Sequence, residues 1–148
     1  MNIRILCILI VLFTGYSYGQ GCYNLTLQNP IGPGANGSYS TQSNGFSLIG
    51  NCVTPSNYII ANVVCGSTYE FTTCAQYGGQ SAINTELTIL DDNNNILAYE
   101  DDNGGACGVS PFLSYTATYT GQIKVLLTES GCQVGSTACN RLVWRMSA

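Results

Sequence analysis

Asp91, Asp92, Glu100, Asp101 and Asp102 are five of the chain's eight acidic residues, gathered in one short stretch. The surrounding segment, Asn84 to Gly108, reads NTELTILDDNNNILAYEDDNGGACG. Carboxylates and Asn side chains in turns are hard oxygen donors, the ligands that Ca²⁺ requires. Asp91, Asn93, Asn95 and Asp102 even fall at positions 1, 3, 5 and 12 of an EF-hand count. That count fails, because Ile96 stands where the sharp turn needs Gly and the twelfth residue is not Glu. A looser calcium site built from Glu100, Asp101, Asp102 and Glu86 remains as the candidate. Against it stands a simpler reading, in which Asp91 to Asn95 is a solvated turn and Asp101-Asp102 cap loop amides. Asp and Asn form turns for their own backbone reasons, and that reading is the stronger of the two.

Other chemistry is harder to find. The chain has no histidine, so Ser–His and Cys–His nucleophile systems are excluded. No nucleophile elbow and no phosphate-binding loop occurs. Two carboxylates could run glycoside hydrolysis, but nothing among Glu70, Glu86 and the acidic stretch marks an acid–base pair. The expectation is therefore a protein that is not an enzyme. Aromatic residues are the third resource. Exposed Tyr beside Asn and Asp suits sugar or protein surfaces, because rings stack and amides hydrogen-bond. Tyr77, Tyr99 and Tyr119 are expected nearer the surface, while Tyr69, Tyr115 and Trp144 fit core or half-core positions.

The elements that position these residues are short strands. Leu87–Leu90 and Ile96–Tyr99 flank the polar turn Asp91 to Asn95, the pattern of a β-hairpin. Further strands are predicted over Cys22–Leu27, Phe46–Ile49, Asn57–Val64, Thr68–Cys74, Phe112–Tyr119, Gln122–Thr128 and Leu142–Met146. Turns rich in Gly, Asn and Ser separate them, and no stretch of useful length has a helical period. This spacing is that of an all-β, two-sheet antiparallel sandwich.

The beginning of the chain sets the compartment. Arg4, the apolar run Ile5–Phe13 and small residues at Ser17 and Gly19 form a secretory signal-peptide pattern over residues 1–19. A mature chain from Gln20 carries eight acids against Lys124, Arg141 and Arg145, a net charge of −5. With no basic patch, neither nucleic acid nor an anionic membrane is an expected partner. Seven cysteines follow the leader: Cys22, Cys52, Cys65, Cys74, Cys107, Cys132 and Cys139. In a secreted chain they read as disulfides with one left over.

From about Asn57 onward the chain resembles the bacterial pre-peptidase C-terminal (PPC) domain. The residues that carry the resemblance are NVVCGSTYEFTTC (Asn62–Cys74), the acidic hairpin segment itself, and SYTATYTGQIKVLLTESGC (Ser114–Cys132). Asn84 and Glu100 depart from the family's usual Asp and Asn. The resemblance implies a secreted sandwich of jelly-roll type, some of whose relatives hold structural calcium, and a pairing of Cys74 with Cys107. Cys132 and Cys139 bracket a loop short enough for a local bridge, which leaves one pair among Cys22, Cys52 and Cys65. The expected layout is a signal peptide (1–19), a strand and Gly/Asn/Ser-rich segment packed on the domain (20–50), and the PPC-like sandwich (51–148). The expected role is a secreted, non-catalytic binding module that contacts an extracellular polysaccharide or protein. A structural or assembly protein of the cell surface is the alternative, and a small carboxylate-dependent hydrolase comes third.

Overall fold

A computed structural model describes Gly21, Cys22 and residues 45–147. The strand expected at Cys22–Leu27 and most of the 20–50 segment lie outside the described residues. The described residues form eight strands: β1 Ser47–Val53, β2 Tyr58–Val63, β3 Thr68–Thr72, β4 Thr85–Leu90, β5 Ile96–Glu100, β6 Phe112–Thr116, β7 Gly121–Glu129 and β8 Asn140–Ser147. One short 3₁₀ turn, Ala75–Tyr77, follows β3. The boundary drawn at residue 50 runs through β1, which is a full member of the sandwich.

The strands form two four-stranded sheets, β1-β8-β3-β6 and β2-β7-β4-β5. Every pairing is antiparallel. The order has a simple logic. β4 pairs with β5, β3 with β6, β2 with β7 and β1 with β8, so the chain is one long hairpin folded at Asp91–Asn95. Successive rungs of that hairpin go to alternate sheets, which is the eight-stranded jelly roll.

The turn at the tip of the hairpin is built by Asp91. Its Oδ1 accepts the backbone N–H groups of Asn93 and Asn95, each at 2.8 Å, and its Oδ2 accepts the Asn95 side-chain amide at 2.8 Å. Asn94 takes the left-handed conformation (φ 65°) that Asn tolerates better than most residues. Lys124 Nζ donates to Asp92 O and Asn94 Oδ1 from the neighbouring β7. The hydrogen bonds that Asp91 accepts hold its carboxyl below the usual carboxylate range, the Asn95 side chain contributing most. Both oxygens of Asp91 thus serve the turn itself.

Alternation along the strands builds the core. Tyr69 and Phe71 from β3, Leu113 and Tyr115 from β6, and Leu142 and Trp144 from β8 face Ile59, Ala61, Leu87, Ile89, Ile123, Val125 and Leu127 of the other sheet. Trp144 lies nearly parallel to Tyr69 (6.2 Å between centroids, 13°) and to Phe71 (6.3 Å, 15°). Tyr69, Tyr115 and Trp144 are therefore core residues, as their strand positions suggest.

β4 departs from simple alternation, with all six residues buried. Its outward face, Glu86, Thr88 and Leu90, lies under Gly21–Cys22. Cys22 packs on Leu90 and Leu126, and its N–H donates to Thr88 Oγ1 at 3.2 Å. Glycine at position 21 permits this approach, since a Cβ there would fall 3.0 Å from Tyr99 Cβ and 3.1 Å from Thr88 Cγ2.

Three disulfides staple the sandwich: Cys22–Cys132, Cys52–Cys139 and Cys74–Cys107. Cys74–Cys107 is the pairing that the resemblance implies. The local Cys132–Cys139 bridge is overturned. The loop between β7 and β8 passes from one sheet to the other, so its two cysteines are anchored to different sheets. Cys132 meets Cys22 over the β4/β7 face, and Cys139 meets Cys52 at the β1/β8 edge. Among the described residues, Cys65 is the free cysteine, and it is exposed. Among the described residues no helix is long and apolar enough to cross a membrane.

Candidate functional site

Two regions concentrate side chains that could contact another molecule. The first is the outward face of the β1-β8-β3-β6 sheet. Because Tyr69 and Phe71 point inward, Glu70 between them points outward, opposite Arg145 of β8 in register. Arg145 Nε donates to Glu70 Oε2 across the two strands. The Arg145 guanidinium also lies 4.6 Å from the centroid of Phe46, just before β1. Phe46 meets Tyr77 at 4.9 Å and Phe112 at 5.9 Å, and Tyr77 meets Phe112 at 5.0 Å. All three rings keep part of their surface in solvent. Leu48 of β1, 56% exposed, extends the apolar surface.

Tyr77 reaches this cluster through tight local geometry. After the 3₁₀ turn, Gly78 adopts a left-handed conformation (φ 87°), and Gly79 N–H donates to Cys74 O at 3.0 Å. A Cβ at position 79 would fall 2.4 Å from the Thr73 carbonyl carbon, so only glycine fits so close to that backbone. Phe46 and Phe112 were not marked by sequence reasoning. Phe46 immediately precedes β1 and Phe112 opens β6, and which strands become neighbours is a property of the roll.

The second region holds the acidic residues. Glu86 is the second residue of β4 and is only 1% exposed beneath Gly21–Cys22. Its Oε2 accepts Gly131 N–H at 3.1 Å, and its Oε1 faces Cys22 Sγ and, at 3.6 Å, Cys132 Sγ. Burial pushes the Glu86 pKa up, and the Asp101 charge adds to this. The backbone N–H groups of Cys132 and Gly131 offset part of the rise. Asp101 Oδ2 accepts the Ser130 hydroxyl at 2.9 Å. Glu100 is raised by its own burial and then by Asp101. Asp102 is exposed. Cys107, bonded to Cys74, fixes the end of this loop.

Tyr99 sits among these carboxylates. Its pKa is pushed up to about 12, first by burial and then by Glu86, Asp101, Glu100 and Asp102. The four residues proposed as calcium ligands therefore share one neighbourhood, but their oxygens do not converge on one point. Among the described residues, the group of three acidic or sulfur side chains whose ligand atoms lie within 4.8 Å of one another is Cys22, Glu86 and Cys132. Tyr119 lies elsewhere, on the β6–β7 connection, where its hydroxyl donates to Gln122 O at 2.8 Å. Burial, then Tyr115 and the turn acids Asp92 and Asp91, raise its pKa. The structure thus places Tyr77, Tyr99 and Tyr119 on three separate patches.

The Tyr99 environment gives a direct test. A phenol whose folded pKa exceeds its unfolded value favours the folded state most below the unfolded pKa, near 10, and loses that contribution as pH rises through the folded value. Ultraviolet titration of phenolate absorbance is expected to show one tyrosine ionising near 12, and the Tyr99→Phe variant should lack that step. A wild-type curve in which every tyrosine titrates with a midpoint near 10 would contradict the placement.

The chain has no match among curated proteins and none among solved structures. A family model described as a domain of unknown function (DUF8695) matches residues 48–147. That span takes in β2 to β8 entirely and all of β1 but Ser47, and the chain belongs to the DUF8695 family.

Proposed function

We propose that the protein is a secreted, non-catalytic binding module whose contact surface is the outward face of the β1-β8-β3-β6 sheet. The observation that carries this reading is the cluster of Phe46, Tyr77 and Phe112 beside the Arg145–Glu70 pair. Partly exposed rings gathered on a sheet face offer stacking surfaces to sugar rings or apolar side chains, and the charged pair offers hydrogen bonds at their edge. Arg145 lying on Phe46 is held in place before any ligand arrives, which lowers the entropy lost on binding. Three disulfides support an oxidising compartment, as does the signal-peptide pattern. The absence of histidine from the sequence supports a non-catalytic role. A relationship to the PPC domain belongs to the same proposal. The jelly-roll order and the Cys74–Cys107 bridge support it.

Affinity electrophoresis in gels containing laminarin, xylan or alginate, with immobilised collagen as a protein arm, tests the role. Saturable retention by at least one probe is expected. Tyr77→Ala combined with Phe46→Ala is expected to weaken it by more than about tenfold, since a stacked ring is worth about 0.5–1.5 kcal/mol beyond its buried area. Tyr99→Phe should leave it unchanged. No retention by any probe, or retention indifferent to the aromatic pair, would sink the proposal.

The alternative, an assembly protein of the cell surface, is favoured by one observation, the exposed free Cys65 between β2 and β3. On non-reducing gels it requires a covalent dimer or adduct that disappears in Cys65→Ser.

A further inference from the structure

Glu86 is a carboxyl group only 1% exposed, held against a disulfide rather than against a cation. Among the described residues, the groups around it are few. Cys22 lies above it, Thr128 of β7 beside it, with Thr128 Oγ1 3.3 Å from Cys22 Sγ. Cys132 and Gly131 come from the β7–β8 loop, and Asp101 and Tyr99 approach from β5 and its end. No Lys or Arg is among them. Disulfide sulfurs carry no proton and can only accept hydrogen bonds. An oxygen of Glu86 directed at both sulfurs therefore makes a hydrogen bond only when Glu86 itself supplies the proton. The two sulfurs also differ in access: Cys22 is buried (2%), whereas Cys132 is partly exposed and flanked by exposed Gly131 and Gln133.

We propose that Cys22–Cys132 is a thiol–disulfide exchange site in which Cys132 is the attacked sulfur and Glu86 is the proton donor to the departing Cys22 sulfur. The co-reactant is a dithiol reductant. Its thiolate attacks Cys132 Sγ from solvent and forms a mixed disulfide there. The Cys22–Cys132 bond breaks, and its electron pair leaves on Cys22 Sγ. That sulfur is enclosed by Leu90 and Leu126, where a thiolate is poorly solvated. The Glu86 carboxyl proton moves to it, leaving the Cys22 thiol and the Glu86 carboxylate, which regains a proton from water. The reductant's second thiol then closes its own disulfide and frees Cys132. Two electrons pass from the dithiol to the protein. In the oxidising direction Glu86 carboxylate takes the proton from Cys22 and makes it the nucleophile. Exchange here detaches Cys22 from the outward face of β4 and β7, so the bridge acts as a reversible clasp on that face.

The test is the rate of reduction by dithiothreitol in chelator-containing buffer, followed bridge by bridge through alkylation and peptide mass mapping. Rates are divided by the reductant's thiolate concentration. Glu86→Gln is expected to slow the opening of Cys22–Cys132 by about a hundredfold, the low end of proton-transfer catalysis, and to leave Cys52–Cys139 unchanged. Wild-type protein provides a second measurement that needs no variant. Its corrected rate at Cys22–Cys132 should fall with rising pH as Glu86 loses its proton, while that at Cys52–Cys139 stays level. Equal corrected pH profiles for the two bridges, or a Glu86→Gln protein that opens Cys22–Cys132 at the wild-type rate, would overturn the proposal.

Discussion

Phe71→Ala is expected to destabilise the protein by about 3–5 kcal/mol, the cost of truncating a buried aromatic ring. Phe71 is fully buried at the centre of β3, in register with Leu113 of β6 on one side and Trp144 of β8 on the other. Its ring stacks on Trp144, and Leu113 faces it across the β3–β6 register. Neighbours pinned in two flanking strands have little freedom to collapse into the space, so the cavity term adds to the lost transfer energy. Domains of this size are stable by only about 5–15 kcal/mol. Chemical denaturation should therefore show a much lower midpoint with an unchanged slope. Phe112→Ala is the control. Its ring lies on the outward, partly solvated face, so its loss should cost clearly less. Equal losses would mean that the assignment of faces along β3 and β6 is wrong.

The second large effect is expected from Cys22→Ser with Cys132→Ser. This bridge links residues 110 apart in sequence, against 33 for Cys74–Cys107. Chain entropy in the unfolded state puts the longer closure near the top of the about 2–5 kcal/mol that native disulfides contribute, and the shorter one about 1 kcal/mol lower. Packing adds to the difference, because releasing Cys22 uncovers Leu90 and Leu126. A fall in Tm of about 10–20 °C is expected, larger than for Cys74→Ser with Cys107→Ser.

Glu86 supplies a pH signature for the same variant. Its folded pKa is raised above the ordinary 4.5. Its contribution to stability is therefore complete below pH 4.5 and is lost as pH rises through the folded value. Opening the clasp returns water to Glu86, so this slope should shrink in the double Ser variant. An unchanged slope would place the cause of the raised pKa somewhere other than under Cys22.

The elements of the roll were largely legible from residue patterns. Period-two alternation in TYEFT and QIKVLL marks which side chains face inward, and the stretch DDNNN between two apolar runs marks the tip of the hairpin. These signals are local. Each depends on residues that touch along a single strand or turn, and the structure agrees with them to within a few positions. β4 was legible as a strand but not as one buried on both faces, because its second cover comes from Cys22, far away in the chain.

The candidate sites were less legible for the same reason. Tyr77 could be marked as a surface ring. Its partners Phe46 and Phe112 lie just before and at strand starts, 31 positions before it and 35 after it. Nothing in their own neighbourhoods announces that they meet. Glu86 looked like one more carboxylate of an acidic loop. Its neighbours two residues along the strand, Asn84 and Thr88, say nothing of the disulfide laid across it. The local Cys132–Cys139 bridge failed because a six-residue spacing measures distance along the chain, whereas the β7–β8 loop is stretched between two sheets.

By itself, then, the sequence determined an all-β, cysteine-stapled chain and the inward and outward faces of most strands, since alternation and turn chemistry act over a few residues. Only the tertiary structure decided which strands share a sheet, which cysteines pair and which face gathers Phe46, Tyr77 and Phe112. Those outcomes depend on closing loops of tens of residues, where the balance is struck by packing of whole sheets rather than by any residue's own preference.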